Sequence, residues 1–187
     1  MKNKIILASA SPRRKELMRK IVKDFRVVES GVDESGIKAD SPYVFVRKAA
    51  IAKAQAVAAK HKDSIVIGAD TIVLLGKKIL GKPKNKKDAI TMLKSLSGRT
   101  HQVATGIAVV FPGANTVSQV VITRIKTQKI SDKDIIAYVN TGAPLDKAGA
   151  YGIQEIEALF IDKIEGDYDN VVGLPVNALK NILNNVV

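Results

Sequence analysis

The sequence predicts an α/β sandwich, with layers of helix laid on a mixed, twisted sheet in a three-layer-like arrangement. Three observations carry that prediction. Short β-branched apolar runs alternate with longer stretches of helical periodicity, the pattern of helices covering the faces of a sheet. The run SIVIGA (residues 64–69) is almost wholly apolar, as a strand buried on both faces must be. Two strand-like runs, residues 103–110 and 117–126, follow one another across a short loop, so antiparallel pairing is expected within the sheet. With 187 residues, 46% of them hydrophobic, the chain has the size of one domain and enough apolar side chains for a core. No linker or break in composition divides residues 1–187, so one domain is expected.

Ile5-Ile6-Leu7-Ala8 is a short apolar run that gives way at once to Ser9-Ala10-Ser11-Pro12. That reads as strand, tight loop, helix: Ser11 is a good N-cap, Pro12 suits the first helical position, and Leu17, Met18 and Ile21 supply an apolar stripe. Ser41-Pro42 repeats the signal and opens an Ala-rich helix to about Lys60. The strand at residues 64–69 is ended by Asp70 and Thr71, after which residues 72–75 continue apolar to a turn at Gly76-Lys77. Beyond a polar loop at Gly81-Lys82-Pro83, Asn85 caps a helix carrying Ala89, Ile90, Met92, Leu93 and Leu96, terminated by Gly98. The two strand-like runs then flank the loop Pro112-Gly113-Ala114-Asn115. Ser131 caps a short helix ending near Gly142. Residues 147–154 are rich in Gly and Ala, which argues against a stable helix and for a stretch lining a site. Residues 159–164 read as a strand and residues 175–187 as a closing helix.

Bulk properties exclude several functions. No apolar run approaches the roughly 18 residues of a membrane span, and the apolar stretch after Met1 is too short for a secretory signal, so a cytoplasmic protein is expected. The absence of cysteine excludes disulfides, thiol catalysis and thiolate metal sites, and with only two histidines, His61 and His101, oxygen ligands are the natural donors for any metal. A formal net charge of +12 invites a nucleic-acid reading. The lysines are scattered, however, aromatics make up 4% and Trp is absent, so stacking platforms for single strands are scarce. A Lys-rich solvated surface explains most of the excess, and an anionic small substrate some of the rest.

Ser9, Ser11 and the guanidinium of Arg13 stand at a helix start directly after a strand. Unpaired N–H groups, the helix dipole and a bidentate cation make such a place an anion site. A capped helix with an exposed basic turn accounts for the same residues, and no Gly-x4-Gly-Lys-Ser/Thr loop occurs. Asp70, with Thr71 after it, is the best single candidate for chemistry at the carboxyl end of a strand. It either holds a divalent cation or accepts a proton from attacking water, unless it is a turn former. Asp33 and Glu34 offer further hard oxygen ligands suited to magnesium or manganese, although acidic turns are common. Lys53, mid-helix among alanines, and Lys82, between Gly81 and Pro83, could each reach a polyphosphate as a point charge. The run Lys84, Lys86, Lys87 reads as an exposed helix start. His101 has no partner at triad spacing and reads as structural, and His61 as solvated.

Taken in order, ILASASPRRKELM, GVDES, the helix with Lys53, IGADTIV, LGKP, LKSLSGRTHQVATGIAV, PLDKAGAYGIQ and VVGLPV make a chain that resembles the Maf family of nucleotide pyrophosphatases along nearly its whole length. The resemblance implies a fold of the Maf and ITPase-like kind. It implies cleavage of a nucleoside triphosphate to the monophosphate and pyrophosphate, with Asp70 as general base and a divalent metal, magnesium or manganese, held by Asp70 and Glu34. Arg13, Lys53 and Lys82 would stabilise the phosphoryl oxygens and Ser9 and Ser11 would position them. Arg13, Thr71 and Gln154 match the branch of the family acting on dTTP and UTP, not the branch acting on 7-methyl-GTP. A Gln amide both donates and accepts, as the edge of a uracil or thymine requires, and modified pyrimidine nucleotides would also fit. A homodimer is implied by the resemblance alone.

Two departures stand out. Glu155-Ile156-Glu157 follows Gln154 where relatives often have glycines, and bulkier acidic groups there are expected to narrow the base pocket or repel a triphosphate. Residues 20–25 differ as well, which reads as surface variation. Three functions compete: a pyrophosphatase, a nucleotide-binding regulator of septum formation without significant catalysis, and a nucleic-acid binder. Retention of Asp70 favours the first, and neither nucleic acid nor membrane is expected as a partner.

Overall fold

The structure, a computed structural model, describes residues 4–113 and 116–184. Ala114 and Asn115 of the expected loop, and residues 185–187 of the expected closing helix, lie outside the described residues. The chain begins β1 (Lys4–Leu7), α1 (Pro12–Arg19), β2 (Arg26–Val27), α2 (Pro42–Ala58) and β3 (Ser64–Leu75). It continues through β4 (Lys78–Leu80), α3 (Lys86–Leu96), β5 (Thr100–Val110), β6 (Thr116–Thr127) and α4 (Asp132–Asn140). After 3-10 turns at Ala143–Asp146 and Ala148–Ala150 come α5 (Ile153–Phe160), β7 (Ile161–Glu165), α6 (Tyr168–Val172) and α7 (Val176–Asn184). The strands follow the order β2-β1-β3-β5-β6-β7, with β4 paired to β3. The sheet is mixed: β1 is parallel to β2 and β3, whereas β3 with β4 and β6 with β7 are antiparallel.

Helix starts lie where their caps predict. Ser11, Ser41, Asn85 and Ser131 each stand in extended backbone and accept a hydrogen bond from the N–H three residues on, satisfying a donor that the first helical turn leaves open. Pro12 and Pro42 take the first helical position, where proline's missing N–H costs nothing. At the other ends, Gly98 and Gly142 adopt positive φ, 68° and 79°, as the left-handed residue after a helix does.

The chain divides into two compact units. The first comprises Met1–Thr71, Thr105–Val121 and Gly173–Val187. Its core gathers Ile6 and Ala8 of the first strand run, Ala50, Ala54 and Val57 of α2, Val66 of β3 and Ala108 of β5. Small residues let α2 lie close on the strands beneath it. A Cβ at Gly68 would fall 2.4 Å from the carbonyl oxygen of Ala50, and one at Gly106 would fall 2.4 Å from that of Val46, so only glycine fits at either place. The second unit comprises Ile72–Ala104 and Ile122–Val172. In it α3 packs against α4, burying Ala89, Leu93 and Leu96 with Ile135 and Val139.

Several expectations require correction. β3 is one unbroken strand, so Asp70 and Thr71 lie within it and do not end it; β-branched residues on both sides sustain the extended backbone through the polar pair. Residues 147–154 are not free of helix, since Ala148–Ala150 forms a 3-10 turn and Ile153 and Gln154 open α5. Positive φ at Gly149 (71°) and Ala150 (61°) keeps these turns from merging into one helix. The strand expected at residues 159–164 begins only at Ile161, because Leu159 and Phe160 close α5. His61 is half-buried rather than solvated. The short elements β2, β4 and α6 had no expectation.

Candidate active site

The first unit holds most of the residues singled out in the sequence. Strand β1 delivers the chain into the loop before α1, and Ala8 still donates its N–H to Ile67 of β3 at 2.7 Å. Ser9 is buried at the turn, where its Oγ accepts from the N–H of Ser11 and from Nη1 of Arg14, both at 3.3 Å. Arg14 is the cation turned inward. Its Nε donates to the carbonyl of Gly173 (2.8 Å) and its Nη2 to Oγ1 of Thr71 (3.0 Å). Thr71 Oγ1 also lies 3.0 Å from Oγ1 of Thr105 on β5. Burial draws the pKa of Arg14 down, while the charges of Asp70 and Glu34 oppose that.

Arg13 is half-buried on the same turn. Successive helical side chains point about 100° apart, so the two arginines face different ways. The sequence reading chose Arg13 and missed the structural part played by Arg14. The available signal was the buried Leu17 and Met18, since Arg14, three and four positions before them, shares their face.

Asp70 and Lys53 meet because α2 sits so close to β3. Gly68 and Asp70 are two residues apart in a strand and therefore share a face, and Gly68 is the residue against which Ala50 and Ala54 press. Lys53, beside Ala54, projects along that face. Its Nζ donates to Asp70 Oδ1 at 2.8 Å and also lies 2.5 Å from Glu34 Oε1. The pair is sheltered, with side-chain exposures of 13% for Lys53 and 10% for Asp70. Water screens the two charges less at such depth than at the surface, so their attraction is stronger, while the cost of removing them from water opposes it.

Asp33 and Glu34 part company here. Asp33 folds back on its own turn, taking hydrogen bonds from the N–H and hydroxyl of Ser35, both at 2.9 Å, which hold its carboxyl below the usual carboxylate range. It is the turn former, and Glu34 is the inward-facing carboxylate.

Lys82 and Gln154 belong to the second unit. Both are exposed, Lys82 in the loop after β4 and Gln154 in the first turn of α5. Within that unit the loop bearing Lys82 is tied to the segment leading to Gln154, since Gly149 donates its N–H to the carbonyl of Gly81 at 3.1 Å. Gly149 packs directly on Val73 of β3, so a side chain there would crowd that valine as well as strain the positive φ. His101 is buried with Nε2 2.7 Å from the hydroxyl of Tyr151, consistent with a structural place.

The acidic departure after Gln154 has partners within its own unit. Glu155 is not an unpaired charge: its two oxygens meet Lys147 Nζ at 2.9 Å and the hydroxyl of Tyr138 at 2.6 Å. Glu157 accepts from the hydroxyl of Tyr168 at 3.1 Å. Glu155 shares the ammonium of Lys147 with Asp146, so it is paired while the three groups together keep a negative charge.

Comparison with known proteins agrees with this architecture. The chain is similar to a solved Ham1 protein from Staphylococcus aureus, at 19% identity and a TM-score of 0.58 over 99% of this chain and 100% of that one, which is a likeness of fold. Among curated relatives, a protein of Clostridium novyi (strain NT) named dTTP/UTP pyrophosphatase is 47% identical over 98% of this chain and 97% of its own length. Another of the same name, from Thermoanaerobacter sp. (strain X514), is 50% identical over 96% and 95%. The family model described as Maf-like protein matches residues 4–186. An inward arginine at a Ser-Pro helix start and a strand aspartate gripped by a helix lysine are thus features of a chain that belongs to the Maf family.

Proposed function

We propose that the protein hydrolyses dTTP and UTP to the monophosphate and pyrophosphate, with Asp70 as the residue that activates water. The observation that carries this reading is the sheltered contact of Asp70 with Lys53 and, through it, Glu34. In the reaction, water oxygen bonds to the α phosphorus, the bond from that phosphorus to the α–β bridging oxygen breaks, and pyrophosphate leaves with the bond's electron pair. Asp70 takes the proton from water. Burial next to a fixed ammonium keeps that carboxylate oriented as charge shifts to phosphoryl oxygens.

Magnesium or manganese fits the donor set. Asp70 and Glu34, from separate segments, already converge on one cation, the ammonium of Lys53. Hard oxygen donors of this kind hold a divalent ion together with substrate phosphates. Among the described residues no group of three or more histidines or carboxylates converges on a point, so phosphate oxygens and water complete such a site. Asp70 and Glu34 would hold the ion, which when bound would neutralise phosphate charge. Ser9, Arg13, Lys53 and Lys82 supply donors for the phosphate chain, and Thr71 and Gln154 contribute to selection of the base. Gln154 presents an amide that can donate and accept at a uracil or thymine edge.

The test is a panel of nucleoside triphosphates scored separately for phosphate and pyrophosphate, on the wild type and on Asp70→Asn. Pyrophosphate from dTTP and UTP is expected, falling at least ~100-fold in the variant. Asn keeps an oxygen facing Lys53, so the fold should persist. Wild-type protein that binds dTTP with metal present and releases no pyrophosphate would favour the regulatory alternative.

A further inference from the structure

The residues around Gln154 are fastened from two sides by side chains of the same unit. Tyr138, on α4, accepts a hydrogen bond at its hydroxyl from the N–H of Gly152 (3.0 Å) and donates to Glu155 Oε2 (2.6 Å). One hydroxyl therefore holds the residue two before Gln154 and the residue immediately after it. The other oxygen of Glu155 lies 2.9 Å from Nζ of Lys147. That ammonium is itself fixed, its side chain 8% exposed, pairing with Asp146 at 2.8 Å and donating to the carbonyl of Ala143.

Packing reinforces the hydrogen bonds. A Cβ built on Gly152 would come within 2.7 Å of Lys147 Cε and 2.9 Å of Glu155 Cδ, so both side chains lie directly against the backbone that leads into Gln154. The N–H of Glu155 returns to the carbonyl of Gly152 at 2.9 Å, closing the turn from inside. Burial raises the pKa of Tyr138 and the bond to Glu155 raises it further, so its hydroxyl keeps its proton and continues to donate. Gln154 itself is exposed, an amide carried on a short turn whose neighbours are locked.

We infer that Glu155 is a positioning residue: by linking Tyr138 to Lys147 it holds the turn that presents Gln154 to the pyrimidine, an inference that rests on Gln154 being the base contact. It makes no contact with the reacting phosphates. Its effect passes through Gln154 alone, and that is the property a merely structural residue would lack. Loss of one hydrogen-bonded tether loosens the presentation of the amide and is felt in binding more than in the chemical step.

A double-mutant cycle on UTP hydrolysis separates the possibilities. Glu155→Ala is expected to lower kcat/KM for UTP about 10-fold, mostly through KM, in the otherwise native protein, and by less than about 2-fold when Gln154→Ala is already present. Tyr138→Phe should behave as Glu155→Ala does. Glu155→Gln, which still accepts from Tyr138 but sets an amide N–H against Lys147, should keep part of the activity, with a KM between those of wild type and Glu155→Ala. Should Glu155→Ala fail to fold, Tyr138→Phe and Glu155→Gln complete the cycle against Gln154→Ala. Effects that add independently, or a Glu155 or Tyr138 variant with unchanged KM while Gln154→Ala is impaired, would overturn the inference. An unimpaired Gln154→Ala would instead remove Gln154 from base recognition and with it the proposed specificity.

Discussion

His101 stands 2% exposed, with the hydroxyl of Tyr151 at Nε2 and that ring set edge-on at 86°. Nδ1 has no hydrogen-bond partner. A proton added to this ring would leave one N–H unpaired in a buried place, and burial pushes the pKa down to about 4. The unfolded chain protonates at the ordinary value near 6.5. The unfolded state therefore takes up the proton first on acidification, so stability is full above about pH 6.5 and is lost as pH falls towards 4, by about 3 kcal/mol. Chemical denaturation of wild type and His101→Gln between pH 7 and pH 4 should show a shallower acid loss in the variant; parallel curves would refute the assignment. At this scale much of the candidate site was legible. Ser9, Glu34, Lys53 and Asp70 were chosen by residue type and place and Thr71 by the family resemblance, and the structure holds all five in one unit. Arg14 was not, because adjacent arginines cannot be told apart until the helix face is fixed by Leu17 and Met18. Nor was the pairing of Glu155, which joins Tyr138 of α4 to Lys147, a residue between two short 3-10 turns that sequence periodicity does not resolve.

Helix α2 is the element on which the site depends, since it carries Lys53 over the strand that carries Asp70. Its height above β3 is set by Gly68, where a methyl group would meet the backbone of Ala50 and Ala54 at 2.4 Å and 2.7 Å. Backbone on both sides cannot swing aside as a side chain can. Gly68→Ala is expected to lower stability by about 1–3 kcal/mol and to depress kcat as well, because Lys53 must move with the helix. Urea unfolding and steady-state rates check the two together, and a variant with native stability and native kcat would show that the close approach is unimportant. Long elements were readable because caps and periodicity agree: Ser11, Ser41, Asn85 and Ser131 marked four helix starts. The two residues of β2 and the three of β4 offer too few positions for alternation to register, and α6, at five residues, is too short for a helical stripe. β3 was cut short at Asp70 because a carboxylate followed by a hydroxyl resembles a turn; its continuation depends on the β-branched residues beyond and on pairing with β4.

On the scale of the whole molecule, the order of short motifs carried more information than any one of them. Ser-Pro-Arg-Arg alone is a capped basic helix, and Asp70 alone is a polar residue in a strand. Their sequence along the chain resembles one family, and a family match over residues 4–186 establishes membership. The net charge of +12 adds attraction for polyanions without specifying one; what distinguishes the reading is where water attacks. Hydrolysis of UTP in water enriched in oxygen-18, followed by mass spectrometry of both products, tests this most directly. Attack on the α phosphorus places the label in the monophosphate and none in the pyrophosphate. Label recovered in pyrophosphate, or release of labelled inorganic phosphate in its stead, would contradict the account.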